Sequence, residues 1–275
     1  MKMLWILALK ELRDGFRNRW VAASIIVLAI LALVLSVLGS APTGSVRVSE
    51  LDISVISLAS LSVYLIPLIA LMLSYDALVA EFERGTMMLL LAYPVARWQI
   101  IMGKFLGHLS ILLIAIVVGY GGTVVVLTLL TDSGSEGWQA YATMMASTLV
   151  LGAVFIALGY LISVIVKERA TAAGSAIGLW LVFVVLYDLL LFGALTMDEE
   201  QKISQQLFSM LMLVSPTDSY RILNLSLFEG VSEAAGIAGV AAETGMSGML
   251  LAGSLALWII LPLVATLLVF QNREL

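Results

Sequence analysis

Residues 105–131, FLGHLSILLIAIVVGYGGTVVVLTLLT, run without a single Asp, Glu, Lys or Arg. A helix needs about 20 mainly apolar residues to cross the hydrocarbon core of a bilayer. Inside lipid the backbone must satisfy its own hydrogen bonds, and a helix does so within one segment. The stretch therefore predicts a membrane-spanning helix, and it decides how the rest of the chain is interpreted.

Five further stretches are long and apolar enough to cross a bilayer. Four contain no charged residue, and the fifth is interrupted only by Asp188. The alternation of about ten residues that marks a strand of a membrane barrel is not found. We therefore predict an all-α polytopic membrane protein with six spans. The five stretches are 20–46, 53–75, 137–166, 170–197 and 244–272.

The overall composition excludes several classes of protein. Of the 275 residues, 61% are hydrophobic and 12% are charged, whereas soluble domains contain about 25% charged residues. The net charge of −5 argues against a nucleic-acid surface. The absence of Cys excludes disulfides and thiolate metal sites, and one His excludes a site built from several imidazoles of one chain.

A cleaved signal peptide is the alternative interpretation of the first apolar run. Ser40-Ala41 resembles a cleavage site. However, the run is longer than the usual 7–15 residues of such a signal, and a long charged segment precedes it. We therefore favour a retained first span.

Basic residues are distributed unequally between the two sides of the predicted bundle. The side that carries the N-terminus holds 11 of the 14 Lys and Arg residues. The other side holds only Arg47, Lys202 and Arg221, together with 11 acidic residues. The positive-inside rule makes the basic side cytoplasmic. We therefore expect a multi-pass membrane protein with both termini in the cytoplasm.

The first 20 residues predict an amphipathic helix that lies in the membrane interface. Trp5, Leu9, Leu12, Phe16 and Trp20 recur at helical spacing, while basic residues occupy other faces. An ordinary soluble helix is the alternative, and the aromatic residues favour the interface. We divide the chain into this interfacial helix, 1–20, and a six-span domain, 21–275.

The loop 80–104, on the basic side, combines a charged start, an apolar helix, a proline break and a basic return to the membrane. A plain connector would not need Leu89, Leu90, Leu91 and Trp98 beside water. We therefore predict a docking element for a soluble partner.

On the other side, 197–248 is the longest polar interruption between predicted spans. Within it, apolar residues at helical spacing over 203–214 predict a helix that stops at Ser215-Pro216.

Sequence motifs for chemistry within the chain are absent. There is no GxxxxGK[ST], HExxH or GxSxG sequence. His108 and Ser110 face different ways on a helix, so we interpret His108 as a packing or interface residue. The 13 Met residues could be copper ligands, because thioethers bind Cu(I). However, Met is also a common apolar filler, so we favour a packing role for them.

Two carboxylates fall within or beside predicted spans. Asp188 lies deep in the fifth span and Asp76 near one end of the second. Acids inside a membrane are costly and are often functional. Asp188 is therefore either a substrate or proton site, or a structural hydrogen-bond anchor.

The loop resembles that of the membrane subunits of ABC-2 type ATP-binding-cassette transporters. The residues that carry the likeness are Glu81-Phe82-Glu83-Arg84-Gly85-Thr86, the leucines after them, Pro94 to Arg97, and Gly103-Lys104. The six-span plan and the first helix are also similar. The resemblance implies the ABC-2 permease fold, of type V exporter kind, a homodimer, and a location in the bacterial inner membrane. It also implies that ATP and Mg²⁺ bind in a separate cytoplasmic ATPase, with no cofactor in this chain.

The resemblance assigns the loop and a second turn to coupling with the ATPase. The residues concerned are Glu81, Glu83, Arg84, Gly85, Thr86, Leu89, Leu90, Tyr93, Pro94, Arg97, Lys167, Glu168 and Arg169. For a periplasmic partner we expect contacts with Asp198, Glu199, Met210, Met212, Asp218 and Arg221.

Further segments are similar to the ABC-2 permeases that serve copper-site assembly of nitrous-oxide reductase. They include Leu58 to Leu61, Pro67 to Leu71, Tyr75-Asp76-Ala77 and Ser215 to Asp218. This similarity implies a periplasmic partner and, through it, a copper chaperone. We expect mechanical transmission to that partner, since the spans offer few polar groups for a metal ion. The alternatives are an exporter of lipid-like substrates and an ATP-independent carrier or scaffold that uses Asp188.

Overall fold

The computed structural model describes residues 2–39, 50–130, 138–197, 205–225 and 246–273, and the regular structure in them is helical. In chain order the α-helices are α1 (Lys2–Arg17), α2 (Arg19–Gly39), α3 (Glu50–Ser74), α4 (Val79–Glu83), α5 (Thr86–Leu91), α6 (Arg97–Ile116), α7 (Gly122–Leu130), α8 (Trp138–Ile165), α9 (Arg169–Leu181), α10 (Tyr187–Met197), α11 (Gln205–Val214), α12 (Pro216–Leu225) and α13 (Gly248–Asn272). Two π-helical turns, Val117–Gly121 and Val182–Leu186, join α6 to α7 and α9 to α10.

Six helical segments of the described residues are long and apolar enough to cross a membrane, which confirms the predicted six spans. They are α2, α3 with α4, α6 with α7, α8, α9 with α10, and α13. The second span differs from its prediction, because α3 ends at Ser74 and a turn precedes α4. From the uncharged stretch 53–75 and the apolar residues after it, the sequence predicts one uninterrupted helix from about Ile53 to Leu78.

Helix α8 lies at the centre of the bundle, in contact with α3, α6, α9, α12 and α13. Two glycines let its neighbours approach closely. A methyl group on Gly152 would lie 2.0 Å from Leu112 Cδ2 on α6. A methyl group on Gly159 would lie 2.0 Å from Ser74 Oγ at the end of α3. In contrast, α2 and the α9–α10 span lie at the edge of the bundle and are mostly exposed.

Helix α1 packs against α6 through a groove made by Gly103 and Gly107. A methyl group on Gly103 would lie 2.8 Å from Leu7 Cβ, and one on Gly107 would lie 2.6 Å from Glu11 Cβ. Glycines four residues apart lie on one face of a helix, so together they admit a second helix at short range.

The opposite face of α1 is apolar and exposed. Trp5, Leu9 and Phe16 point away from the protein, and Trp20 at the start of α2 is 78% exposed. Helix α1 is shorter than the predicted helix over 1–20, because it ends at Arg17 and Trp20 belongs to α2. Its aromatic face is free to meet lipid, as an interfacial helix requires. We call the end of the bundle that carries α1, α4 and α5 the basic end, and the end that carries α11 and α12 the opposite end.

The predicted helix before Ser215-Pro216 is present as α11, although Ile203 lies outside the described residues. Helix α11 ends at Val214, as predicted, and Pro216 then opens a second helix, α12, that the sequence did not predict. Proline suits the first position of a helix because its missing N–H would have no partner there. Ser215 caps α12, since its hydroxyl accepts a hydrogen bond from the Asp218 backbone at 3.3 Å.

Candidate coupling surface

Helix α5 and the turn that follows it present an apolar face to the surroundings at the basic end. Met88 is 58% exposed, Leu89 is 68% exposed and Tyr93 is 65% exposed. Met87 is buried beneath them, and Leu90 packs against the core. Gly85 immediately precedes the helix with φ +69°, a backbone conformation that favours glycine. The short helix is therefore anchored by one face and free to bind through the other.

The predicted coupling residues fall into two groups. Most are exposed, whereas Leu90 is half-buried against the core, and Glu81, Arg97 and Arg169 are half-buried in contacts within the chain. The exposed members are Glu83, Arg84, Gly85, Thr86, Leu89, Tyr93, Pro94, Lys167 and Glu168.

Helix α4 is attached to α8 through the hydroxyl of Ser163. The backbone N–H groups of Leu78 and Val79 donate to Ser163 Oγ at 2.9 and 3.0 Å. The first N–H groups of a helix have no partner within it, and here a buried serine of the central helix satisfies two of them. These two hydrogen bonds fix the start of α4 to α8.

The end of α13 also meets this loop. Phe82 on α4 packs edge-on against Phe270, with ring centroids 6.0 Å apart, and Arg273 lies 4.1 Å above the Phe82 ring. Arg97 donates to the backbone carbonyls of Phe270 and Gln271. Cations that bind the last carbonyls of a helix are favoured by its dipole.

Lys104 joins α1, α4 and α6 in one buried ion cluster. Its Nζ lies 2.7 Å from Glu11 Oε1 and 2.7 Å from Glu81 Oε1. The lysine side chain is only 4% exposed. Because breaking a buried pair leaves an uncompensated charge, this cluster holds the interfacial helix and the loop together.

The surroundings of Glu11 stabilise its charged form. Burial alone would raise its pKa, but the charge of Lys104, with smaller effects of His108 and Lys10, lowers the pKa to about 2. His108 lies beside it, with Nε2 3.8 Å from Glu11 Oε2 and Nδ1 2.8 Å from the Tyr160 hydroxyl. His108 is thus a buried packing residue that links α6 to α8.

The start of α9 receives two carboxylates from the second span. Asp76 Oδ2 lies 2.5 Å from Arg169 Nη2, and Glu83 Oε1 accepts a hydrogen bond from the Arg169 backbone at 2.7 Å. A carboxylate at a helix N-terminus is favoured by the helix dipole. Asp76 is therefore a partner of Arg169 at the basic end rather than an isolated acid within the span.

Asp188 is paired with Arg221 of α12 at the opposite end. Arg221 Nη2 lies 2.9 Å from Asp188 Oδ2, and Nη1 lies 3.2 Å from Asp218 Oδ1. Burial, followed by the charge of Asp188, raises the pKa of Asp218. One guanidinium thus serves two carboxylates, which connects α12 to the fifth span and favours the role of Asp188 as a structural anchor.

Helix α12 enters a polar network among buried tyrosines. Tyr220 Oη lies 2.9 Å from Thr148 Oγ1, and Thr148 donates its hydrogen to the Met144 carbonyl at 2.7 Å. Tyr220 must therefore be the donor to Thr148. In the same way, Tyr120 donates to Ser62 at 2.6 Å, because the Ser62 hydroxyl donates to a backbone carbonyl.

Each π-helical turn offers a backbone carbonyl to another element. The Tyr120 carbonyl accepts from the Tyr141 hydroxyl at 2.7 Å, and the Phe183 carbonyl accepts from Thr217 Oγ1 at 3.0 Å. A π turn displaces carbonyls from the regular helical ladder, and such turns are frequent at functional sites. Through Thr217, α12 is joined to the turn in the fifth span.

Comparison with known proteins places this arrangement in a family. The family model described as "ABC-2 family transporter protein" matches residues 5–275. The chain belongs to the ABC-2 family of transporter proteins. Two relatives carry the name "Probable ABC transporter permease protein NosY". The one from Stutzerimonas stutzeri is 41% identical over 275 residues, 99% of each chain. The one from Pseudomonas aeruginosa is 41% identical over 260 residues, 94% of each chain.

The ABC-2 assignment gives the chain its general role. A permease subunit of an ABC transporter lies in the lipid bilayer and works with an ATPase partner, and it is not itself the catalytic subunit. Within the described residues, no group of three or more His, Asp or Glu side chains could hold a metal ion.

The contacts predicted for a periplasmic partner need correction. Met210 is exposed, but Met212 is buried beneath α11 and Asp218 is only 1% exposed. Helical periodicity places Met212 on the face that packs against Leu191 and Leu251. Neither residue can meet a partner at this surface. Arg221 is half-buried in its ion pairs, while Asp198 and Glu199 lie outside the described residues.

Several residues of this ABC-2 permease that connect its elements escaped the sequence interpretation. Glu11 and Lys104 lie far apart along the chain, and nothing local marks them as partners. Ser163 looks like an ordinary small residue within a span. The spacing of Gly103 and Gly107 was the available signal, because two glycines four residues apart indicate a groove for another helix.

Proposed function

We propose that the chain is the membrane subunit of an ABC complex that serves copper-site assembly of nitrous-oxide reductase. In this proposal the basic end faces the cytoplasm of a bacterium and binds an ATPase of the NosF type. The opposite end faces a periplasmic protein of the NosD type, which in turn works with a copper chaperone of the NosL type. The membrane subunit is a homodimer.

The exposed apolar face of α5 and of the turn that follows it is the observation that carries the proposal. Met88, Leu89 and Tyr93 form a face that a soluble subunit could cover. The same loop is attached to α8 through Ser163, to α13 through Phe82, and to α1 and α6 through Lys104. A partner that moves α5 thus moves four other helices. The names of the two relatives support the assignment to this particular complex.

Replacing Leu89 tests the docking surface. Leu89 is 68% exposed, so Leu89→Asp leaves the bundle intact but places a charge in the proposed interface. Removing a central anchor of an interface costs about 2 kcal/mol or more, about thirtyfold in affinity. We expect this loss in the binding of the purified ATPase to permease in nanodiscs. Leu89→Met is the matched control and should bind like the wild type. Equal binding by both variants would overturn the proposed surface.

We further propose that motion, rather than a solute, crosses the membrane. The central helix α8 is buried along most of its length, and the buried hydroxyls of Ser62, Tyr120, Thr148 and Tyr220 bind one another or backbone carbonyls. Such satisfied groups are poor ligands for a passing ion. ATP-dependent accumulation of copper or of sulfur species in proteoliposomes that contain the complete complex would contradict this part.

A further inference from the structure

Three charged side chains meet at the opposite end of the bundle, where α12 is attached to the fifth span. Arg221 lies 2.9 Å from Asp188 and 3.2 Å from Asp218. The two carboxyl groups also lie within hydrogen-bonding distance of each other. Because ionised carboxylates only accept hydrogen bonds, that contact is attractive only when one of the two carries a proton.

The cluster of Asp188, Arg221 and Asp218 has one positive charge for two carboxylates. The excess negative charge falls on Asp218, which is only 1% exposed. Its Oδ2 atom is buried and accepts no hydrogen bond within the described residues. A buried charge is costly unless it is paired and hydrogen-bonded, so the folded protein favours a neutral Asp218.

The elements that pack around α12 supply no further cation for the cluster. They are α3, α8, α11, α13 and the second π turn, and none of them contains Lys or Arg. The charged residues of α3, Glu50 and Asp52, are acids in its first turn. Two tyrosines interact with the cluster, Tyr64 with Arg221 and Tyr187 with Asp218. Both are hydroxyl groups, so a proton is the remaining way to neutralise the excess charge.

The energetics of ionisation agree with this geometry. Burial, followed by the charge of Asp188, raises the pKa of Asp218 from 3.8 to about 7. The charge of Arg221 and a hydrogen bond with Ser215 oppose this rise and are outweighed. Two carboxylates that share a site titrate as a pair, since the charge of one opposes the ionisation of the other.

We propose that the cluster is a proton-binding site, in which Asp218 carries one proton and donates it in a hydrogen bond to Asp188. The protonated cluster contains one guanidinium, one carboxylate and one neutral carboxyl group, so its charges balance. The Asp188 side chain is 24% exposed, so protons exchange with the surroundings through this residue. Release of the proton leaves two carboxylates that repel each other, and α12 is then held less firmly to the fifth span.

The bound proton makes the stability of the protein depend on pH. The folded-state pKa of Asp218 is higher than the 3.8 of an ordinary Asp, so the folded protein retains a proton that the unfolded chain has lost. The resulting stabilisation is complete below pH 3.8 and is lost as the pH rises through about 7. Glu11 does not contribute to this change, because its folded-state pKa of about 2 keeps it ionised throughout the upper part of this range.

Infrared spectroscopy and thermal unfolding of the full chain in nanodiscs test the site. At about pH 6 we expect the carbonyl band of a protonated carboxyl group, and by about pH 9 that band should be lost. The thermal midpoint should fall over the same range. Asp218→Asn should remove the band and most of the fall in the midpoint, because an amide keeps the hydrogen bond to Asp188 but does not titrate.

Two further variants separate the shared proton from a general effect of removing an acid. Asp188→Asn removes the charge that opposes ionisation of Asp218, so the band should disappear at about pH 6 in this variant too. Asp14→Asn is the matched control, since the Asp14 side chain is 52% exposed, and both the band and the fall in the midpoint should remain. A wild type without the band, a band that survives Asp218→Asn, or parallel midpoint curves for the wild type and Asp218→Asn would overturn the proposal.

Discussion

A single lysine explains much of the cohesion at the basic end. Lys104 lies on α6 and contacts carboxylates of α1 and α4, at 2.7 Å in both cases. In a chain with 12% charged residues, a buried ion cluster is costly and needs full pairing. The cluster therefore contributes by positioning rather than by net stabilisation. It fixes where the interfacial helix meets the loop that we propose binds the ATPase.

Replacing Lys104 should destabilise the protein strongly. Lys104→Met keeps the length of the side chain but leaves Glu11 and Glu81 without their shared cation. Loss of one partner of a buried pair costs about 3–5 kcal/mol. We expect this decrease in the free energy of unfolding, measured by denaturant titration in mixed micelles. Lys10→Met is the control, because Lys10 is half exposed and its pairs are worth about 1 kcal/mol or less. Similar losses for both variants would contradict the role of Lys104.

The lowered pKa of Glu11 predicts a pH dependence. The folded-state pKa is about 2 and the unfolded value is 4.5, so the folded protein favours the charged form. The resulting stabilisation is complete above pH 4.5 and is lost as the pH falls toward 2. The thermal midpoint should fall over this window, and it should fall less in Glu11→Gln. Parallel curves for the variant and the wild type would show that Glu11 does not titrate in this way.

At the scale of helices, close approach is governed by glycines rather than by apolar pattern. The groove of Gly103 and Gly107 seats α1, and Gly152 and Gly159 let α6 and α3 approach α8. Among helices surrounded by lipid, apolar side chains gain little by contact with one another, so packing at short range decides association.

Substitution of Gly107 should release α1 from α6. In Gly107→Ala the new methyl group would lie 2.6 Å from Glu11 Cβ and 2.9 Å from the Ala8 carbonyl. Forced contacts of this kind cost about 1–3 kcal/mol. We expect faster tryptic cleavage at Arg13 and Arg17 and a lower thermal midpoint. Gly122→Ala on the same span is the control, because a methyl group there meets nothing within 4 Å. If Gly122→Ala speeds tryptic cleavage and lowers the thermal midpoint as much as Gly107→Ala does, the groove does not hold α1.

The sequence predicts the spans well and the connections between them poorly. Long apolar runs are local signals, so the six spans and α1 could be found from hydropathy and periodicity. The break after Ser74, the π turns and α12 depend on partners such as Ser163 and Thr217, which come from distant parts of the chain. The burial of Met212 likewise depends on the side chains of other helices.

In the whole molecule, hydrogen bonds link the central helix α8 to helices at both ends of the bundle. At the basic end, α4 is bonded to α8 through Ser163, and at the opposite end α8 is bonded to α12 through Thr148. The central helix α8 is therefore bonded to a helix at the basic end and to a helix at the opposite end. Because packed elements move as units, displacement of α5 by an ATPase would reach α12 through α8.

The hydroxyl of Tyr220 should matter for this transmission. Tyr220→Phe removes the hydrogen bond to Thr148 but keeps the buried ring, so the fold and ATPase binding should be unchanged. The loss of about 1 kcal/mol corresponds to about a fivefold weaker coupling between the two ends. We expect that factor in the stimulation of ATP hydrolysis by the protein bound at the opposite end. Tyr64→Phe is the control, because Tyr64 is 47% exposed and takes no part in the hydrogen bond that joins α8 to α12. If stimulation is the same in Tyr220→Phe and Tyr64→Phe, the path through α8 and α12 is wrong.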